Sequence, residues 1–116
     1  MTKKELSQLY YLTQELEWDK RELEALKEQK ETADSMMGRA DIANLQAIIQ
    51  IKSQLRLYEK NRLEMYIQTI PDSLVRQIFR MRFKELMTYQ QIAVKLKGIS
   101  AESARKTIER YLKGNK

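Results

Sequence analysis

From Lys3 to about Glu31 the apolar residues recur at Leu9, Leu12, Leu16, Leu23 and Leu26, the a and d places of a seven-residue repeat interrupted at Asp19. This spacing predicts a coiled-coil-like helix. A second run, Ile42 to about Thr69, carries Ile48, Ile51, Leu55, Tyr58 and Met65 on one seam and Leu45, Ile49, Leu63 and Tyr66 on adjoining positions. Its apolar surface is broader than a single stripe. Between the runs, Thr32 to Asp41 breaks the period with Gly38 and two cap residues, Asp34 and Asp41; the turn is placed here, with a helix start near Ser35 as the alternative. Both helices would be roughly 42 Å long and would pack antiparallel as a hairpin.

Ile70-Pro71-Asp72 marks a joint, because proline disfavours helical backbone at the residue before it and suits a first helical turn. A third helix is expected from Pro71 to about Lys84, with Leu74, Val75, Ile78, Phe79 and Met81 supplying core. Two shorter helices follow. Thr88 and Gln91 have capping-box spacing; Ile92, Ala93 and Leu96 share one face; Gly98 sits where a left-handed cap residue is needed. Ser100 caps the last helix, whose buried stripe is Ala104, Ile108, Tyr111 and Leu112. The opposite face carries Glu102, Lys106, Glu109 and Lys113, flanked by Ser103, Arg105 and Arg110. The expected fold is all-α: a hairpin arm over residues 1–69, then a trihelical helix-turn-helix domain over 70–116.

A helix-turn-helix whose second helix is rich in charge and hydrogen-bonding groups fits the major groove of duplex DNA. A helical hairpin packed for structure alone, with a solvated charged face, is the plainer reading of the same residues. Charge favours the first. Residues 71–116 hold 11 Lys or Arg against 4 Asp or Glu, whereas residues 1–70 hold 11 against 12, so the whole +6 surplus lies beside the motif. The expected DNA-binding residues are Thr88, Tyr89, Gln90, Ser100, Glu102, Ser103, Arg105, Lys106, Glu109 and Arg110. Thr88, Tyr89 or Gln90 would donate to phosphate at a helix N-terminus, and Arg105 and Lys106 would enter the groove. Arg76, Arg80 and Lys84 are available to phosphate or to ordinary surface placement.

Residues 70–112 resemble region 4 of bacterial sigma-70-type factors, in which an R-x-x-x-x-R-[FY] helix leads into a Thr-Tyr-x-x-Ile-Ala helix and a Ser-x-x-Ser/Thr recognition helix. Ile78, Arg82, Phe83, Thr88, Tyr89, Ile92, Ala93, Leu96, Ser100, Ser103 and Ile108 stand at matching places. A basic region-4-like part behind a helical arm is similar to small phage-encoded regulators of the RinA-like and ArpU-like kind. That resemblance implies activation of phage or prophage genes together with host RNA polymerase. It departs from a full sigma factor in lacking the polymerase-core-binding region 2, and Ala104 replaces a larger aliphatic residue. The resemblance also places Arg82 in the domain framework, with Glu85 or a helix C-terminus as its partner.

The absence of cysteine and histidine removes disulfides, thiolate metal sites and a base titrating near neutrality, so no enzyme, cofactor or metal is expected. No apolar run approaches the roughly 20 residues that span a bilayer, and a cytoplasmic, nucleoid-associated protein is expected. The apolar surplus of the second long helix, with Tyr10, Tyr11 and Trp18 on the first, calls for a partner, and a homodimer through residues 1–69 is the first choice. The other reading is that these aromatic residues fill the hairpin's own core. Two further function classes stand beside the regulator: a DNA-binding phage packaging protein of the small-terminase kind, and an adaptor that binds polymerase without touching DNA.

Overall fold

The computed structural model describes residues 1–114; Asn115 and Lys116, the end of the expected C-terminal domain, lie outside the described residues. Every described element is helical: α1 Lys3–Leu6, α2 Gln8–Thr32, α3 Met36–Gln68, α4 Ser73–Phe79, a π-helical segment Arg80–Lys84, α5 Tyr89–Leu96 and α6 Ala101–Leu112. Contacts divide the chain into two compact units, one of Leu12–Lys60 and the other of Met1–Tyr11 together with the chain from Asn61 onward.

Within the Leu12–Lys60 unit, α2 and α3 form an antiparallel pair around the short break Ala33–Ser35. The second long helix therefore starts earlier than Ile42, near the alternative start: Ser35 Oγ accepts from the Gly38 N–H at 3.0 Å and closes the first turn. Leu26 and Ile49 are buried, and Asp19, which interrupts the leucine seam of α2, is buried too. Arg56 of α3 answers it with two hydrogen bonds from Nη1, 2.8 and 2.6 Å to the two carboxylate oxygens, and its Nε lies 3.4 Å from Glu15. The inward face of α3 thus runs Ile42, Gln46, Ile49, Ser53, Arg56 and Lys60 at alternating spacings of four and three, all buried or half-buried. The seam of Ile48, Ile51, Leu55, Tyr58 and Met65 is exposed by half or more, whereas Ile49 and Leu63 of the adjoining positions are buried. Trp18 is 61% exposed and so does not fill this core.

In the other unit the chain begins with a capping box, in which Thr2 Oγ1 accepts from the Glu5 N–H at 3.1 Å and Glu5 Oε1 accepts from the Thr2 N–H at 3.2 Å. The first helix breaks at Ser7, whose hydroxyl donates to the Lys3 carbonyl at 2.7 Å, so the single helix expected from Lys3 is two. Leu6 and Leu9 are fully buried, as are Leu63 and Ile70, with Ile67 nearly so. Glu5 is tied to Arg62 at 2.9 Å, and that guanidinium holds its carboxyl below the usual carboxylate range. Tyr66, Phe79, Phe83 and Tyr111 form a chain of ring contacts with centroids 5.4 to 6.3 Å apart. Burial raises the Tyr66 hydroxyl pKa.

α4 starts two residues later than the Pro71 expectation because Asp72 is its cap, accepting from the Val75 N–H at 3.0 Å. Its continuation is not α-helical: Glu85 N–H reaches back five residues to the Arg80 carbonyl at 3.1 Å, and Met87 N–H reaches the Met81 carbonyl at 2.9 Å. This widened turn, followed by Leu86 at φ +55°, redirects the chain into α5.

Candidate nucleic-acid interface

α5 and α6 pack on each other and, with α4 and the π-helical segment, enclose Ile78, Phe79, Phe83, Ile92, Ala104 and Ile108. Ala104 is completely buried and, having no more than a methyl group, permits a close approach between the two short helices. The turn between them needs left-handed backbone at two successive residues, Lys97 at φ +49° and Gly98 at φ +84°. Glycine accepts this freely, whereas lysine does so only where the surrounding structure imposes it.

The expected site residues sit at two helix starts and along one helix face. Thr88 Oγ1 accepts from the Gln91 N–H at 3.1 Å and Gln91 Oε1 accepts from the Thr88 N–H at 2.8 Å, so the capping box forms. Gln90 is exposed beside it. Tyr89 is half-buried, with the Arg82 guanidinium carbon 4.3 Å from its ring centroid. Arg82 also donates to the Met87 carbonyl at 2.9 Å, so that of the two expected partners it takes a backbone carbonyl just beyond the helix end and not Glu85, and it ties the π-helical segment to the start of α5.

On α6, Ser100 Oγ accepts from the Ser103 N–H at 3.0 Å. Glu102, Ser103, Lys106 and Arg110 are exposed, while Arg105 and Glu109 are half-buried. Arg105 donates through Nη1 to Glu109 at 2.6 Å, through Nε to Glu102 at 3.2 Å, and through Nη2 to the other oxygen of Glu102. These carboxylates hold the Arg105 guanidinium more firmly protonated, and Arg105 in turn lowers the Glu102 pKa. Lys3 of α1 lies 3.9 Å from Glu109, a contribution from the far end of the chain that no local motif announces. Of the other cations of α4 and its extension, Arg76 donates to the Ile70 carbonyl at 2.7 Å, Lys84 lies 3.6 Å from Glu64, and Arg80 is exposed.

The outer side of α5 forms a shallow apolar groove lined by Met87, Gln90, Gln91, Val94 and Lys95, with Val94 76% exposed. Among the described residues, no group of three or more His, Cys, Asp or Glu side chains could hold a metal ion, and no helix is long and apolar enough to cross a membrane. Set against known proteins, the chain matches no family model, no curated protein sequence and no solved structure.

Proposed function

We propose that this protein is a sequence-specific double-stranded DNA-binding transcription regulator, acting in the cytoplasm at the nucleoid, with α5 and α6 as its helix-turn-helix. The observation that carries the reading is the division of α6. It buries Ala104 and Ile108 completely and turns Glu102, Ser103, Lys106 and Arg110 outward, leaving a polar face one helix wide. The basic surplus of residues 71–116 supports it, since phosphate neutralisation supplies most of the sequence-independent affinity for duplex. The region-4 resemblance adds a role as a phage or prophage gene activator working with host RNA polymerase. Selection of bound fragments from a random duplex pool tests the reading: a recurring motif is expected, and recovery of unenriched sequence refutes it.

The exposed seam of α3 supports pairing of two copies. Leu45, Ile48, Ile51, Leu55 and Tyr58 together offer on the order of 500 Å² of mostly apolar surface, comparable with much of one side of a standard interface. Dimerisation would place two recognition helices on two half-sites. Ile51→Glu with Leu55→Glu should then give a monomer by sedimentation and a weaker complex with a two-half-site duplex; a wild-type chain that sediments as a monomer at about ten times the concentration used for DNA binding contradicts the pairing.

The groove along Met87 and Val94 favours a second reading, an adaptor that binds polymerase through α5. Such a protein would keep its partner after Arg105→Ala with Lys106→Ala.

A further inference from the structure

The donor nitrogens of Arg105 are all engaged within its own helix, Nε and Nη2 by Glu102 and Nη1 by Glu109. Lys106 lies 4.0 Å from the same Glu102, and Lys3 lies 3.9 Å from Glu109. The middle of α6 is therefore close to electroneutral, whereas the surrounding unit carries Arg76, Arg80, Lys95, Lys97, Arg110 and Lys113. Glu102 stands in the first turn of α6, where the helix dipole favours a carboxylate, but Glu109 lies two turns further on, and each repels a phosphate backbone that approaches it. Glu102 stays ionised at neutral pH, its carboxyl held below the usual range by Arg105.

For Arg105 to reach DNA it must leave its partnership with both carboxylates; a backbone phosphate can accept from the guanidinium fork but offers Glu102 and Glu109 no donor and repels both. A G·C base pair replaces both sides of it. Guanine O6 and N7 accept from the guanidinium fork, and cytosine N4 donates to a carboxylate. We propose that Glu102 and Glu109 are specificity-determining residues, which hold Arg105 in a clamp that rejects non-specific duplex and opens onto a G·C base pair. The proposal rests on the DNA-binding reading of α6. The i, i+3 and i, i+4 spacing of the clamp would also suit pairs that merely support the helix. That role would alter helix content but not the ratio of specific to non-specific binding.

The test uses the full chain and its Glu102→Gln and Glu102→Gln/Glu109→Gln variants, changes that keep volume at solvent-accessible positions. Each is titrated into the selected duplex and into a scrambled duplex at several salt concentrations, with helix content followed by circular dichroism. In the double variant the scrambled duplex should bind about tenfold more tightly at roughly 100 mM salt, with a salt slope steeper by about one as Arg105 takes up a phosphate. The specific-to-scrambled ratio should fall by about tenfold, and the single variant should fall between. The wild-type motif should contain G·C at the position lost in Arg105→Ala. An unchanged ratio and slope in variants of normal helix content overturns the clamp while leaving DNA binding intact. Failure of the wild type to bind either duplex overturns the DNA-binding reading and the clamp with it.

Discussion

Replacing Leu6 by alanine tests whether the first turn of the chain is part of the unit that carries the helix-turn-helix. Leu6 has no exposed surface and sits in a four-residue helix whose own hydrogen bonds could not hold it in place. The substitution removes three carbons, worth about 2.4 kcal/mol at roughly 0.8 kcal/mol for each buried methylene. Incomplete collapse around the vacated space raises the cost to about 3 kcal/mol. With a urea dependence near 2 kcal/mol per molar, the unfolding midpoint should fall by about 1.5 M. Circular dichroism at 222 nm follows helix loss, and near-ultraviolet tyrosine dichroism follows the packed rings of Tyr66 and Tyr111. Met37→Ala, at a side chain 77% exposed, serves as the control and should lie within about 0.5 kcal/mol of wild type. If Leu6→Ala is as mild as that control, the packing of residues 1–11 against the helices that follow Asn61 is wrong. The same reasoning makes a fragment of residues 70–116 a poor folder, because Leu6, Leu9, Leu63 and Ile67 would all be missing from its core.

Asp19→Ala should destabilise the hairpin by about 1–2 kcal/mol, since Arg56 Nη1 is left in the seam without both of its carboxylate acceptors, whereas Asp19→Leu with Arg56→Leu should be neutral or stabilising in urea titrations. Acid should weaken the fold through Glu5 and Glu102. Their folded pKa values lie below the ordinary 4.5, so their contribution is present above that value and is lost as pH falls through the lowered ones. Thermal midpoints measured from pH 7 to pH 3 should show this drop, and Glu5→Gln should flatten part of it.

Much of the helix-turn-helix is legible in the sequence because its signals are local. Thr88 and Gln91, Ser100 and Ser103, and Gly98 each act within three or four residues, and the structure forms both caps and the left-handed turn. Ile92, Ala104 and Ile108 are buried as helical spacing requires. Part of what escapes the sequence depends on partners distant along the chain. The inward face of α3 includes Gln46, Ser53, Arg56 and Lys60, so hydrophobicity ranks it below the outer seam until Asp19 is seen to pair with Arg56. Periodicity alone has no means of assigning two competing seams on one helix. The break at Ser7 and the π-helical turn rest on local hydrogen bonds that a 3.6-residue pattern does not register, and the latter brings Arg82 over Tyr89.

Fluorescence anisotropy of a labelled duplex, titrated with the wild-type chain and with Arg105→Ala/Lys106→Ala between about 50 and 200 mM salt, tests the DNA-binding role most directly. The wild type should bind the selected site and lose affinity steeply with salt, by on the order of a hundredfold or more across that range. The double variant, with unchanged helix content, should lose discrimination between that site and a scrambled one. A wild-type affinity indifferent to salt, or a double variant that still discriminates as the wild type does, contradicts the assignment of α6 as a DNA-reading helix.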